Sequence, residues 1–143
     1  MRYINEIIIH CTATKAGTDI GVKEIRRYHK NVKGWSDIGY HYLVRLDGTV
    51  ERGRYISQPG AHCLHHNAHS IGIAYVGGLD ASGQPADTRT EAQRKALIQI
   101  IAKNVSMFHC PVYGHRDFAP KECPCFDAKN EYKLLVNSIL AKK

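Results

Sequence analysis

The chain has 143 residues and a mass of 16.1 kDa, enough for one compact domain that buries roughly two-thirds of its unfolded surface. With 43% hydrophobic and 23% charged residues it is composed like an ordinary globular protein, which argues against disorder, and its apolar runs are too short to span a membrane. A net charge of +7 suits either an anionic partner such as nucleic acid, a membrane face or an acidic wall polymer, or a basic surface that only keeps the protein soluble; without an arginine-rich block, zinc-finger spacing or aromatic ribonucleoprotein signature, nucleic acid is the weaker reading.

The opening segment MRYINEIIIHCTATK is interrupted by Asn5 and Glu6, which leaves it too polar for a signal peptide and suits a first strand inside a covered sheet. Synthesis in the cytoplasm is expected. The strand face that carries Ile8 also carries His10 and Thr12. In VKEIRRYHKNVKGW, Val22, Ile25, Tyr28 or His29, and Val32 recur at helical spacing, with Gly34 as a stop. YHYLVRLDGTVERGRYI reads as two alternating runs joined by Asp47-Gly48, a strong hairpin signal, with Tyr40, Tyr42 and Val44 on one face.

From Gln58 to Ser70 the chain has four histidines and no apolar period, as expected of a surface loop, and IGIAYVGG returns as a buried strand. Thr90 and Gln93 fit a capping box for a helix running to about Phe108, in which Leu97, Ile98, Ile100, Ile101 and Val105 predict deep burial. CPVYGH reads as a short strand. Asp127 is placed to cap a final helix with Tyr132, Leu135, Val136, Ile139 and Leu140 on one face. The expected architecture is α/β (mixed α+β): one domain over residues 1–143, with a central mixed sheet flanked by about three helices.

Five cysteines, Cys11, Cys63, Cys110, Cys123 and Cys125, do not resemble a disulfide framework, since the number is odd. Cys11, Cys63 and Cys110 read most simply as small buried hydrophobes. The stretch GHRDFAPKECPCFD raises three readings: a metal site, a redox pair, or a loop stiffened by proline. Cys123 and Cys125 lack the usual Cys-x-x-Cys redox spacing, and no His-x-Glu precedes them as in zinc deaminases. For a metal, His115 at the end of a strand, Cys123 eight residues later between Pro120 and Pro124, and His10 at the end of another strand supply the three nitrogen and sulfur ligands of a catalytic zinc site. The bland alternative is that nine histidines and five cysteines produce chance pairs.

Five blocks in order, IIIHCTATK, GYHYLVRLDGTVERGR, GAH, NAHSIGIAYVGG and GHRDFAPKECPCFD, resemble the phage-type N-acetylmuramoyl-L-alanine amidases, phage lysozyme-like relatives of the peptidoglycan recognition proteins. The resemblance spans nearly the whole chain. It implies zinc ligation by His10, His115 and Cys123, and catalytic roles for Tyr40 in GYH and Lys121 two residues before the cysteine ligand. Tyr42 is set aside only because it lacks the GYH context. His62 in GAH and Asn67 match positions lining the substrate groove, whereas His65, His66 and His69 are left as loop residues. Arg116 and Asp117 are candidates for orienting the His115 turn.

The implied reaction is zinc-dependent hydrolysis of the amide between the lactyl group of N-acetylmuramic acid and L-alanine of peptidoglycan, with Lys121 and Tyr40 donating to the oxyanion, or with Tyr40 instead shuttling a proton or holding the water; the sequence does not identify the general base. The enzyme is expected to act as a monomer on the cell wall, endolysin-like, after release or non-classical export. A muramyl-peptide recognition module without catalysis is the alternative. One position departs from the family pattern: Cys125 stands where serine or another small residue is common, and it is expected to remain a free thiol beside the ligand Cys123.

Overall fold

The computed structural model describes residues 2–142. In chain order its elements are β1 (Glu6–Cys11), β2 (Thr14–Lys15), α1 (Val22–Asn31), β3 (Tyr42–Val44), β4 (Val50–Arg52), β5 (Ser70–Tyr75), β6 (Gly78–Leu79), α2 (Glu91–Phe108), β7 (Val112–Gly114), α3 (Ala128–Glu131) and α4 (Lys133–Leu140), with 3-10 turns at Asn67–His69 and His115–Asp117.

Strand β1 is apolar on both alternating faces because it is enclosed on both: five of its six residues are buried, and it pairs in parallel with β5 on one side and β7 on the other. The main sheet has the order β4-β3-β5-β1-β7, and only the β3–β4 hairpin is antiparallel. Ile7, Ile9 and Cys11 enter the larger core with Ile71, Ile73 and Tyr75 of β5, under Leu97 and Ile101 of α2 and Val136 of α4. Each such isoleucine contributes about 1.5–3 kcal/mol relative to an exposed one. On the other face, Val22 and Ile25 of α1 pack with Ile38, Leu43 and Ala74. Alternation therefore turns His10 away from the larger core, toward the side on which the functional cluster forms.

The capping box forms as the sequence predicts: Gln93 N–H donates to Thr90 Oγ1 at 3.1 Å and Thr90 N–H to Gln93 Oε1 at 2.9 Å. The Asp47-Gly48 hairpin also forms, with Val44 opposite Val50 and Gly48 at φ +88°, a conformation that favours glycine. Among the described residues no helix is long and apolar enough to cross a membrane.

Several local expectations are corrected. Helix α1 ends at Asn31, so Val32 is 65% exposed instead of lying on its apolar face, and of the alternatives Tyr28 and His29 it is His29 that is buried. Ile98 is 48% exposed, because α2 is covered along one side only. The final helix is two, α3 and α4, interrupted at Tyr132, making four helices where about three are expected. Tyr132 is drawn into the core beside Phe126, and its hydroxyl accepts from the buried guanidinium of Arg89, which also pairs with Asp87 and Glu131. The sequence does not anticipate the small parallel pair β2–β6.

Strand β3 begins only at Tyr42, and this changes the reading of Tyr40. Tyr42 packs on the core under α2, whereas Tyr40 packs against the α1 cluster, so the two tyrosines lie on opposite sides of the sheet. The chain bends at His41, where His41 N–H donates to Gly72 O and Gly53 N–H to His41 O, and alternation does not carry through the bend.

Candidate metal centre

His10 closes β1, and His115 is the first residue after β7, the parallel neighbour of β1 in which Gly114 sits opposite Ile9. Cys123 reaches them on a loop that folds back over β7. Arg116 N–H donates to Cys123 O at 2.8 Å, Tyr75 O–H donates to Pro124 O at 2.7 Å, and Pro124 lies so close over Gly114 that a Cβ there would meet its Cδ at 2.9 Å. Asp117 completes the turn by accepting Gly114 N–H at 2.8 Å. Of the pair considered for orienting the His115 turn, Asp117 braces the turn with its carboxylate and Arg116 ties it to the Cys123 loop with its backbone N–H.

Three side chains far apart in sequence are thereby gathered: one ligand atom each from His10, His115 and Cys123 lies within 4.8 Å of the other two. His10 Nδ1 stands 3.9 Å from Cys123 Sγ, and the His10 and His115 rings are 4.6 Å apart between centroids.

The protonation states suit a metal. Burial, joined by the charges of neighbouring histidines and Lys121, pushes His10 well below the ordinary histidine range, and burial with Lys121 pushes His115 down to about 4. Both imidazoles are therefore neutral near pH 7, with a lone pair to give. The Cys123 thiol is lowered too: a side-chain hydrogen bond from Cys11 eases its ionisation, and Cys11 N–H donates to its sulfur at 3.2 Å. Two neutral imidazoles and a thiol whose ionisation is eased form the nitrogen–sulfur donor set zinc prefers, and three protein ligands would leave a coordination position open as catalytic sites require. Cys125 is not in the cluster. Its thiol donates to Gly78 O at 3.3 Å and lies 4.0 Å from Cys11 Sγ, and burial pushes it up to about 12. All five cysteines are free, and Cys11, Cys63 and Cys110 are buried as expected.

Tyr40 is delivered to the cluster by its neighbour. Gly39 approaches Ala61 so closely that a Cβ would come within 2.1 Å of Ala61 O, and Gly39 N–H donates to His29 Nδ1 at 2.9 Å. The Tyr40 ring lies 5.3 Å from that of His10. Lys121 is exposed at the rim of a cleft of about 570 Å³ whose walls include Trp35, Ala61, Leu64 and Phe118, and which His62, Asn67 and His115 also line. His66, expected as a plain loop residue, is half-buried: it stacks on Phe118 at 3.8 Å between centroids and meets Glu6 at 2.6 Å, which braces the cleft wall. His65 and His69 are exposed, as expected.

The two candidate groove residues are engaged inside the fold. Asn67 Oδ1 accepts the backbone N–H groups of His62 at 2.9 Å and Cys63 at 3.0 Å, shaping the loop. His62 is only 8% exposed; its Nδ1 lies 2.8 Å from His10 Nε2 and its Nε2 lies 3.1 Å from Ser70 Oγ. Sequence reasoning passes over Cys11, His29, His41 and Ser70, which support the site. His29 has a legible signal as the apolar-face alternative to Tyr28, but nothing local marks the other three.

Residues 1–126 match the N-acetylmuramoyl-L-alanine amidase family. The chain belongs to that family. The amidase is 45% identical over 126 residues to an endolysin of Klebsiella phage KP32, covering 87% of this chain and 83% of that protein. Its fold is similar to that of N-acetylmuramoyl-L-alanine amidase LysC from Clostridium intestinale URNW, with a TM-score of 0.79 at 29% identity over 99% of this chain and 88% of that one. It is also similar to bumblebee PGRP-SA, with a TM-score of 0.76 at 27% identity over 93% of this chain and 82% of that one. The fold class read from the sequence is that of these proteins, and the chain is a cell-wall amidase with peptidoglycan as its substrate or partner.

Proposed function

We propose that the amidase is zinc-dependent, that His10, His115 and Cys123 hold the ion, and that the bond cut is the amide between N-acetylmuramic acid and L-alanine. The observation that carries this reading is the convergence of the three ligand atoms within 4.8 Å of one another, beside a cleft that His115 and Lys121 share. When bound, zinc supplies Lewis acidity toward the amide carbonyl and toward water.

The chain's own residues do the rest. Trp35, Leu64 and Phe118 give the cleft apolar walls that hold substrate and keep water away from the reacting amide. Lys121 brings a positive charge to the rim on the side of His115, where negative charge develops on the carbonyl oxygen. Burial raises the Tyr40 phenol, so it keeps its proton and donates an O–H to that oxygen instead of acting as a base. Removing one donor of this kind costs about a hundredfold or more in rate.

The test is mass spectrometry of purified peptidoglycan incubated with the protein as purified, after chelation, and after zinc is restored. The expected result is release of stem peptides with a free L-alanine amine, abolished by the chelator and recovered with zinc. Release that persists after exhaustive chelation overturns the zinc dependence. Intact linkages in every sample, with peptidoglycan retained on immobilised protein, would make the chain a recognition module.

A further inference from the structure

We propose that His62 is a positioning residue for the metal ligand His10, and that Ser70 in turn sets His62; this rests on the zinc reading above. An imidazole that gives one nitrogen to a metal must carry its proton on the other, and the orientation of the ring then depends on what accepts that proton. His10 directs Nδ1 toward Cys123 and presents Nε2 to His62 Nδ1 at 2.8 Å. His62 accepts there only with its own proton on Nε2, the nitrogen 3.1 Å from Ser70 Oγ. A single pattern therefore satisfies the series: His10 Nε2–H donates to His62 Nδ1, and His62 Nε2–H donates to Ser70 Oγ.

The fold holds this series in place. His10, His62 and Ser70 are 2%, 8% and 0% exposed, so water does not compete for these nitrogens. The His62 ring lies in a space left by two glycines. A Cβ on Gly72 would meet His62 Cγ at 2.6 Å, and one on Gly60 would meet His62 Cδ2 at 2.6 Å. The His62 backbone is held at the same time by Asn67. The rings of His10 and His62 stand edge to face, at 90°, with centroids 4.8 Å apart.

The acceptor is unusual in kind. Metal-bound histidines commonly donate to a carboxylate or a carbonyl, whereas a neutral imidazole adds no negative charge beside the metal. His62 thus orients His10 while leaving Cys123 as the only anionic member of the ligand set. This assigns a use to the histidine of the GAH block that is distinct from touching substrate: both its ring nitrogens are occupied within the fold.

Two measurements test the proposal. In the zinc-loaded protein, nitrogen-15 long-range NMR spectra are expected to show His10 and His62 both protonated at Nε2; a proton on His62 Nδ1 overturns the series without any substitution. Competition with a chromophoric chelator then gives zinc affinity for the unaltered protein, His62→Phe, His62→Asn and Ser70→Ala. Removal of the acceptor in His62→Phe is expected to weaken zinc binding by about 10–100-fold, the usual effect of losing such a partner, and His62→Asn, whose side-chain oxygen sits where Nδ1 was, recovers most of it. Ser70→Ala falls between. Wild-type zinc affinity in a folded His62→Phe, with only KM raised, overturns the proposal and makes His62 a substrate contact. No zinc bound by the unaltered protein overturns the zinc reading itself, and this proposal with it.

Discussion

Cys11 donates its backbone N–H to Cys123 Sγ at 3.2 Å, while its own sulfur lies 4.0 Å from that of Cys125. One residue of β1 thus separates two cysteines that stand two positions apart in sequence: Cys123 faces His10 with its thiol pKa lowered by the hydrogen bond from Cys11, and Cys125 is directed into a contact with Gly78 O. Cys123→Ser is accordingly expected to lose zinc and to lower turnover by more than about a hundredfold, a ligand mattering at least as much as its supporting partners. Cys125→Ser is expected to retain both. Zinc content by atomic absorption checks this, and loss of zinc in the second variant alone would reverse the assignment.

Lys121→Ala should separate catalysis from metal binding. Lys121 is exposed, and among the described residues its side chain makes no hydrogen bond or ion pair, so the melting temperature and zinc content should stay near those of the unaltered protein. Turnover should fall about a hundredfold or more. Unchanged turnover removes Lys121 from the mechanism.

Gly39→Ala tests how Tyr40 is placed. A Cβ at Gly39 would come within 2.1 Å of Ala61 O, a collision with backbone that no side-chain rotation relieves. A loss of about 1–3 kcal/mol in stability is expected, the typical cost of overpacking. The kcat should be lowered, since the collision falls on the backbone that carries Tyr40, and zinc content is followed alongside because Ala61 adjoins His62. Denaturant melts and steady-state kinetics check both parts; full kcat with the expected destabilisation would mean that Tyr40 is not needed where it stands.

The metal-free protein should lose stability in mild acid. Burial pushes His29 and His41 down from the ordinary 6.5 to about 4 in the folded state, so between these pH values the unfolded chain binds more protons than the folded one. Stability is therefore full above pH 6.5 and declines as pH falls toward 4. His41→Asn keeps an acceptor for Gly72 N–H, which His41 Nδ1 takes at 3.0 Å, and removes one titrating ring. Urea midpoints measured across this range should fall less steeply in the variant; an identical slope would show that His41 does not contribute.

Much of the fold was legible because its signals are local. A parallel strand buried on both faces reads as an unbroken apolar run, which is why β1 and β5 stand out, and the Thr90–Gln93 box and the Asp47-Gly48 turn each involve residues a few positions apart. Periodicity failed where the backbone changed direction. The bend at His41 sends Tyr40 and Tyr42 to opposite sides of the sheet, and Tyr132 splits one expected helix into two so that its ring can enter the core.

The candidate site divides along the same line. The sequence by itself marked His10, His115 and Cys123 as candidate ligands, since residue chemistry, strand ends and flanking prolines are all local properties, and its ordered blocks carried the resemblance to the family. Only the tertiary structure decided which cysteine faces the histidines, on which side of the sheet Tyr40 lies, and that His62 spends its ring nitrogens on His10 and Ser70. Those outcomes depend on contacts between segments 52 or more residues apart in the case of His10 with His62 and Cys123, and on the space left by Gly72 and Gly60. The absence of a side chain at a glycine carries no sign in the sequence of which distant ring will fill the space.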